Sequence, residues 1–153
     1  MTAMEELKAC VNQEQIFLTR LADLSQQVET QCCRSEPSDP SPLLRQRQVY
    51  LDRLKKCVGR ISVLMRKLPS EEQGRMNAVF SARLPKGQCN PEEMEIMEKE
   101  KKCHSLLSEI SASDAESARQ MKRECDRLQK LVNDSHSKRK KDSPFSGYSD
   151  FIN

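Results

Sequence analysis

The sequence is poor in the residues that fill a thick protein core. It has no tryptophan, aromatic residues make up 4% of its 153 residues, and its mean hydropathy is -0.77. Hydrophobic residues reach 36%, while charged residues reach 32%, against about 25% in an average domain. Such a chain cannot build several packed layers, so its composition favours long helices that each bury one apolar stripe.

Glycine, histidine and long apolar runs are also scarce. Four glycines are too few for a turn-rich β-sandwich or a phosphate-binding loop. No apolar run approaches the about 20 residues of a membrane span, so we expect no membrane contact. The histidines, His104 and His136, lie outside any nucleophile motif. Acid–base catalysis needs titrating groups in a partly dry pocket, which thin helices rarely form. We therefore expect no enzyme activity, no cofactor and no small-molecule substrate.

The seven cysteines predict free thiols. They stand at positions 10, 32, 33, 57, 89, 103 and 125. Their number is odd, and no apolar leader precedes Glu5, which indicates a reducing compartment, the nucleus or the cytosol. Structural zinc sites use spacings such as C-x-x-C, whereas Cys32 is adjacent to Cys33, and Cys103 to His104. The spacing therefore predicts no metal site.

Prolines divide the chain into candidate helices. Residues 1–36, 43–68 and 92–143 contain none, and proline is excluded from helix interiors. We predict an all-α fold of long amphipathic helices that form a coiled coil or an elongated helical bundle. The predicted segments are helix 1 over 1–34, a Pro/Ser linker over 35–42, a basic heptad helix 2 over 43–68, a short helix with turns over 69–90, a long helix over 91–135, and a disordered basic and aromatic tail over 136–153.

Helix 2 carries the most regular heptad pattern. Eight positions from Leu44 to Leu68 follow one another in steps of 3 and 4 residues, and seven of them are apolar. This seam is typical of coiled-coil packing. Helix 1 has a similar stripe, in which Glu14 and Ser25 fill two of the positions. The predicted partner-interface residues are Leu44, Leu51, Leu54, Val58, Ile61, Met65, Leu68, Leu7, Val11, Leu18, Leu21, Val28, Leu107, Ile110 and Leu128.

The apolar residues of the long helix fall into two registers. The first contains Ile96, Cys103, Leu107 and Ile110, and the second contains Met121, Cys125, Leu128 and Val132. Because the segment from Ser111 to Asp114 lies between them, the pattern fits one helix with a stutter or two helices with a hinge near Ser113.

Unfinished apolar stripes predict association with other proteins. A monomeric bundle is the alternative, but the helices are long, the connections short and the apolar share low. No asparagine occupies the seam of helix 2, and Arg47 in that seam requires an acidic neighbour at its layer. We therefore expect other coiled-coil proteins as partners, in a hetero-oligomer rather than a homo-oligomer.

Helix 2 is strongly basic. Residues 43–68 carry eight basic side chains and one acidic side chain. One interpretation is contact with nucleic-acid phosphates, and another is a calmodulin-like or anionic-membrane target. The interpretation we favour is a solvated face that pairs with acidic helices such as Glu92–Glu100. Tyr50 is the single ring of this helix, which gives little indication of base stacking.

The C-terminal tail combines a basic run with aromatic residues. Four consecutive cations resemble a nuclear localisation signal, and they are Lys138, Arg139, Lys140 and Lys141. Aromatic residues in so short a segment indicate a peptide that docks on a partner. The predicted docking residues are Phe145, Tyr148, Phe151 and Ile152. Ser41 and Ser143 each precede proline, which makes them candidate phosphorylation sites.

These features favour a non-enzymatic coiled-coil scaffold subunit of a nuclear multiprotein assembly. Its architecture is of the type found in small helical subunits of kinetochore, spindle, centrosomal and chromatin assemblies, which suggests cell division or chromosome maintenance. The alternatives are a nucleic-acid-binding protein that uses helix 2, and a cytoplasmic tether or trafficking subunit.

Overall fold

The part of the chain that the structure describes consists of helices and short connections. The computed structural model describes residues 1–34 and 38–142. Its elements are α1 over Ala3–Cys32, α2 over Ser41–Arg66, α3 over Ser70–Phe80, a single 3-10 turn over Lys86–Gln88, and α4 over Pro91–Asp142. None of the described residues forms a β-strand. The prediction of an all-α fold is therefore confirmed.

Reciprocal hydrogen bonds define the first residues of α1 and α4. The backbone N–H of Glu5 donates to Oγ1 of Thr2 over 3.2 Å, and the N–H of Thr2 donates to Oε2 of Glu5 over 3.0 Å. The N–H of Glu93 donates to Oδ1 of Asn90 over 2.8 Å, and the N–H of Asn90 donates to Oε1 of Glu93 over 3.0 Å. Each pair satisfies amides that a helix N-terminus leaves without partners, so both start points are encoded locally.

α1 lies between α2 and α4 and packs on both. α2 runs antiparallel to α1, because Arg60 near the end of α2 binds Glu6 near the start of α1 over 2.7 Å. α4 runs parallel to α1, because Lys8 and Glu95, both near the starts of their helices, pair over 3.1 Å. α3 connects the end of α2 to the start of α4. We call α1, α2, α3 and residues 91–120 of α4 the helical body.

Two apolar clusters form the core of the helical body. The first lies at the end covered by α3, and its buried members are Leu7, Val11, Ile61, Leu64, Met76, Val79, Ile96 and Met97. The second lies further along α1, and its buried members are Leu18, Leu21, Cys103, Leu106 and Ile110. α1 contributes to both clusters. Burying one such side chain stabilises a fold by about 1.5–3 kcal/mol, so the body depends on α1 being covered from two sides.

The side of α2 that packs on the helical body differs from the seam that the heptad pattern predicts. The stripe that faces the helical body and the stripe that the heptad pattern predicts have four residues in common, and they are Arg47, Leu54, Ile61 and Leu68. The other residues of the inward stripe are Leu43, Tyr50, Cys57 and Leu64. The other residues of the predicted stripe form an outer edge, and they are Leu44, Leu51, Val58 and Met65. Leu64 is 3% exposed and Val58 is 46% exposed. The apolar face of α2 contains both edges, so residue spacing alone does not decide which edge packs on α1.

α4 is one continuous helix through Ser113 and onward to Asp142. The structure therefore has no hinge at Ser113, and it continues the helix beyond position 135, where we expected the tail to begin. Residues 136–142 contain no proline or glycine, and their lysines and arginine are good helix formers that also suit a helix C-terminus. Residues 143–153 lie outside the described part of the chain.

The second half of α4 extends past the end of α1. α1 ends at Cys32, and no described side chain beyond Ser117 in α4 is buried. We call residues 121–142 the projecting segment. At 1.5 Å per residue it is about 33 Å long.

The junction between α3 and α4 is held by a buried carboxylate. Glu93 is 2% exposed. Arg75 of α3 donates to it twice, from Nε over 2.5 Å and from Nη2 over 2.9 Å. The guanidinium of Arg75 and the backbone N–H of Asn90 hold the pKa of Glu93 below its ordinary value of 4.5. Because one side chain both caps α4 and binds α3, this junction is sensitive to its charge.

We expect Glu93→Gln to remove part of the acid sensitivity of the fold. A lowered pKa in the folded state means that ionised Glu93 stabilises the fold above the ordinary value of 4.5. That contribution is lost as the pH falls through the lowered pKa. Urea unfolding midpoints of wild type and Glu93→Gln should therefore differ most at neutral pH and converge in acid.

Glu92→Gln is the matched control, because Glu92 is the exposed neighbour in the same first turn of α4. If Glu93→Gln kept the full pH response of the wild type, the Arg75–Glu93 pair would not be what holds this junction.

Candidate functional site

The structure divides the predicted partner-interface residues into buried and exposed groups. Seven are buried inside the chain, and they are Leu7, Val11, Leu18, Leu21, Val28, Ile61 and Ile110. Four more are half-buried, and they are Leu51, Leu54, Met65 and Leu68. The remaining four, Leu44, Val58, Leu107 and Leu128, are 39%, 46%, 45% and 47% exposed. A second protein can reach the exposed group without opening the helical body.

One exposed surface is the outer edge of α2. We call Leu44, Leu51, Val58 and Met65 the outer stripe. They recur every seven residues, and so they line one side of the helix next to its buried face. Leu44 and Val58 are exposed, whereas Leu51 and Met65 also pack against the two apolar clusters, so the outer stripe is open at two of its four positions.

A second exposed surface lies on the projecting segment. Cys103, Ile110 and Ser117 point from α4 into the helical body, and all three are buried. Met121, Leu128 and Val132 lie 4, 11 and 15 residues after Ser117, which brings them to the same side of α4 beyond the point where α1 ends, because the helix turns once every 3.6 residues.

The exposure of this continued face increases along the helix. Leu128 is 47% exposed, Leu131 is 51% exposed and Val132 is 60% exposed. The face that α4 uses to cover α1 is therefore left open over the projecting segment.

Arg47 finds its acidic neighbour inside the chain. Its Nη2 pairs with Oδ2 of Asp114 in α4, and its Nε donates to Oγ of Ser25 in α1 over 3.2 Å. One side chain of α2 thus joins all three long helices at the polar layer where α1 carries Ser25. The acidic requirement that the sequence places on Arg47 is met by Asp114.

The basic face of α2 has few acidic neighbours. Arg60 pairs with Glu6, and Arg47 with Asp114. Six other cations form no ion pair with any acid in residues 1–34 and 38–142, and they are Arg45, Arg53, Lys55, Lys56, Arg66 and Lys67. Of the five acids in Glu92–Glu100, Glu93, Glu95 and Glu98 pair with Arg75, Lys8, Lys99 and Lys86, and none of the five forms an ion pair with a cation of α2 in the part of the chain that the structure describes.

The ring of Tyr50 is covered by neighbouring side chains. The guanidinium of Arg20 lies 5.8 Å from its centroid and that of Arg53 lies 5.1 Å from it. The ring of Phe17 lies 6.4 Å away. Cations over an aromatic face are attracted to it, and here two of them lie close to the ring on which a nucleic-acid base would stack.

The structure describes part of the segment that carries the predicted nuclear localisation signal and docking residues. The basic run Lys138–Lys141 lies in the last turns of α4, with Lys138 and Arg139 exposed. Ser143 and the docking residues Phe145, Tyr148, Phe151 and Ile152 lie outside the described residues.

Ser41 is the first residue of α2. Its N–H and its hydroxyl both donate to Oδ1 of Asp39, over 3.0 Å and 2.6 Å. These bonds hold the pKa of Asp39 below its usual range. A carboxylate therefore already occupies the helix N-terminus that a phosphate on Ser41 would share.

A cluster of acidic and thiol groups lies in the core between the long helices. Glu14 of α1 and Glu100 and Cys103 of α4 each bring a ligand-type atom within 4.8 Å of the others. Their exposed fractions are 9%, 5% and 1%. We call these three residues the carboxylate cluster. Glu100 and Cys103 are three residues apart, which places both side chains on one face of α4.

Burial dominates the electrostatics of the carboxylate cluster. Burial, followed by the neighbouring carboxyl of Glu14, raises the pKa of Glu100 to about 8. Burial raises the pKa of the Cys103 thiol as well, and it raises the pKa of Cys57 on α2 to about 11. Oε1 of Glu100 is buried and has no hydrogen-bond partner. The site is therefore rich in oxygen and sulfur ligands and poor in donors.

Sequence reasoning missed this cluster, although a signal for it was present. Glu14 fills an apolar position of the α1 stripe, and Glu100 fills the gap between Ile96 and Cys103 in the α4 register. An acid at a seam position in each of two helices indicates that the two acids can meet in the core. Metal-ligand spacing along the chain could not reveal this, because the ligands come from different helices.

No family model matches the chain, and no curated protein and no solved structure matches it. Nor does any helix in residues 1–34 and 38–142 combine the length and the apolar character that crossing a membrane requires.

Proposed function

We propose that this protein is a non-enzymatic coiled-coil scaffold subunit of a nuclear multiprotein assembly that acts in cell division or chromosome maintenance. The observation that carries the proposal is the projecting segment. The face of α4 that covers α1 in the helical body continues past the end of α1, where Leu128, Leu131 and Val132 are 47%, 51% and 60% exposed.

Helices from a partner are the natural cover for this face. Its apolar residues keep the 3-and-4 spacing that a facing helix fills with its own side chains. A partner helix that ends against α1 would take over the position of α1 along α4, so the packing of the body would continue without a break. The outer stripe of α2 offers a second surface of the same kind.

Charge favours a different protein over a second copy. The projecting segment carries eight lysines and arginines and four acids. Pairing two such segments side by side would bring like charges together, which disfavours a homodimer. A partner helix with acidic flanks would neutralise them and would also select the partner.

The absence of catalysis is part of the proposal. The titratable groups that converge in the described chain are those of the carboxylate cluster, and its residues are at most 9% exposed. A substrate cannot reach them without opening the core. The groove between α2 and α3 is open to solvent, and its lining offers no carboxylate, thiol or imidazole for acid–base chemistry, since it consists of Ile61, Ser62, Met65, Arg66, Gln73, Asn77 and Phe80.

We expect the double variant Leu128→Asp/Val132→Asp to lose its coiled-coil partners while the helical body stays folded. Both residues lie beyond the body, so the urea midpoint should not change, whereas two buried carboxylates would be costly in the complex. Quantitative mass spectrometry of proteins that copurify from nuclear extract should show them reduced about tenfold or more, since hot-spot residues contribute 2 kcal/mol or more.

Lys130→Asp is the matched control, because Lys130 lies on the opposite face of the same helix. It introduces a carboxylate two residues from both substituted positions and should keep the partners. Equal retention of all partners by the double variant and by Lys130→Asp would show that the projecting face is not the interface.

Nuclear residence is proposed from the basic run at the end of α4. Replacing Lys138, Arg139, Lys140 and Lys141 with alanine should move a fluorescently tagged chain from the nucleus to the cytoplasm. Replacing the exposed pair Lys101 and Lys102 with alanine is the control and should leave it nuclear. Cytoplasmic residence of the wild type itself would instead favour a tether or trafficking subunit.

Nucleic-acid binding through α2 is the second candidate, and it is supported by the six cations of α2 and its end that form no ion pair among the described residues. It requires affinity for duplex DNA that falls steeply as salt rises. Titration of fluorescent duplex DNA at about 50 mM salt, where electrostatic binding is strong, decides this. The scaffold proposal predicts no binding there.

A further inference from the structure

The carboxylate cluster places two acids and a thiol in the core without a cation. No ion pair among the described residues includes Glu14 or Glu100. Oε1 of Glu100 is buried without a hydrogen-bond partner, in a side chain that is 5% exposed overall. Buried carboxylates are costly unless a proton or a cation compensates them. No cationic side chain among the described residues supplies that compensation at the carboxylate cluster.

We propose that the carboxylate cluster binds one zinc ion through an oxygen each of Glu14 and Glu100 and through Sγ of Cys103. The three ligand atoms lie within 4.8 Å of one another. Ligands around a tetrahedral zinc lie about 3–4 Å apart, as bond lengths of about 2.0–2.3 Å require, so small side-chain rotations suffice.

The ligand types select zinc over the common hard cations. Calcium and magnesium prefer sites made entirely of oxygen ligands, with six or more around the ion. A thiolate beside two carboxylates suits a borderline ion that accepts four mixed ligands. The i and i+3 spacing of Glu100 and Cys103 resembles the way helical bundles present two ligands from one turn of helix to a metal in their core.

We assign the fourth ligand to Cys57 of α2, which lies outside the group of three ligand atoms that are within 4.8 Å of one another. It lies near enough for the charges of Glu14 and Glu100 to influence its thiol, and in this structure its Sγ donates to the carbonyl oxygen of Cys10 over 3.1 Å. Rotation of its side chain would exchange that hydrogen bond for the fourth zinc ligand. Zinc would then join α1, α2 and α4 at the layer between the two apolar clusters. This inference does not depend on the proposed scaffold function.

The test is metal binding by the purified, metal-free full chain in a reducing buffer without thiols. We expect it to take up one equivalent of Zn²⁺ in competition with a chromophoric chelator. Co²⁺ as a probe should give the intense thiolate-to-metal absorption and the visible bands of a tetrahedral site. Zn²⁺ should also raise the melting temperature, because an ion that binds the folded chain stabilises it.

Glu100→Gln and Cys103→Ala are the decisive variants, and each should weaken Zn²⁺ binding by about 100-fold or more and remove the rise in melting temperature. Glu100→Gln keeps the shape of the side chain and removes a buried acid, so it will remain folded, which circular dichroism verifies. It therefore decides the matter even if Cys103→Ala does not fold.

Cys125→Ala is the control, because Cys125 is exposed on the projecting segment, remote from the cluster. It should bind Zn²⁺ as the wild type does. Failure of the wild type to take up stoichiometric Zn²⁺ would overturn the proposal and would leave a carboxyl pair that shares a proton. Uptake that survives in Glu100→Gln would overturn it as well, because the metal would then be bound elsewhere.

Discussion

The burial of α1 on two sides is the constraint on which the rest of this structure depends. α1 carries leucines and valines around so much of its surface that one neighbouring helix cannot cover them, and Leu7, Val11 and Leu24 are fully buried because both α2 and α4 pack on α1. The direction of each neighbour follows from this. α2 returns antiparallel after a short connection, and α3 crosses the end of the body so that α4 can start beside the start of α1.

Covering α1 also determines what the chain leaves open. α4 has 52 residues and α1 has 30. The inner face of α4 therefore has no helix packed on it after about residue 120 in the part of the chain that the structure describes. The same face, with the same periodicity, is a core in one half of the helix and a surface in the other. The outer stripe of α2 is left partly open for a similar reason, because α1 covers only one edge of the wide apolar face of α2. Both surfaces are exposed parts of apolar helix faces whose other parts form the core of the helical body.

The core is not uniformly apolar, and two polar layers lie between its long helices. Arg47, Ser25 and Asp114 form one layer, where the charges satisfy one another. Glu14, Glu100 and Cys103 form the other, where no cation among the described residues does so. Replacing a buried polar group by an apolar one often stabilises a protein, so such layers are retained where they specify helix register or bind something. The first layer can specify which helices meet, and the second suits a ligand.

The sequence by itself determined the helical class, the caps of α1 and α4, and the buried stripe of α1, because proline positions, capping residues and 3.6-residue periodicity are local properties. Contacts between helices decided the rest. Whether Leu64 or Val58 of α2 points inward, and whether Leu106 or Leu107 of α4 does, depends on where a neighbouring helix lies, since adjacent positions on a wide apolar face are equivalent until one of them is covered. The meeting of Glu14 with Glu100 and the open face of the projecting segment are likewise products of the tertiary structure. The relative direction and length of the packed helices decide which residues that are far apart in the chain come into contact, and which apolar residues have no neighbour to cover them.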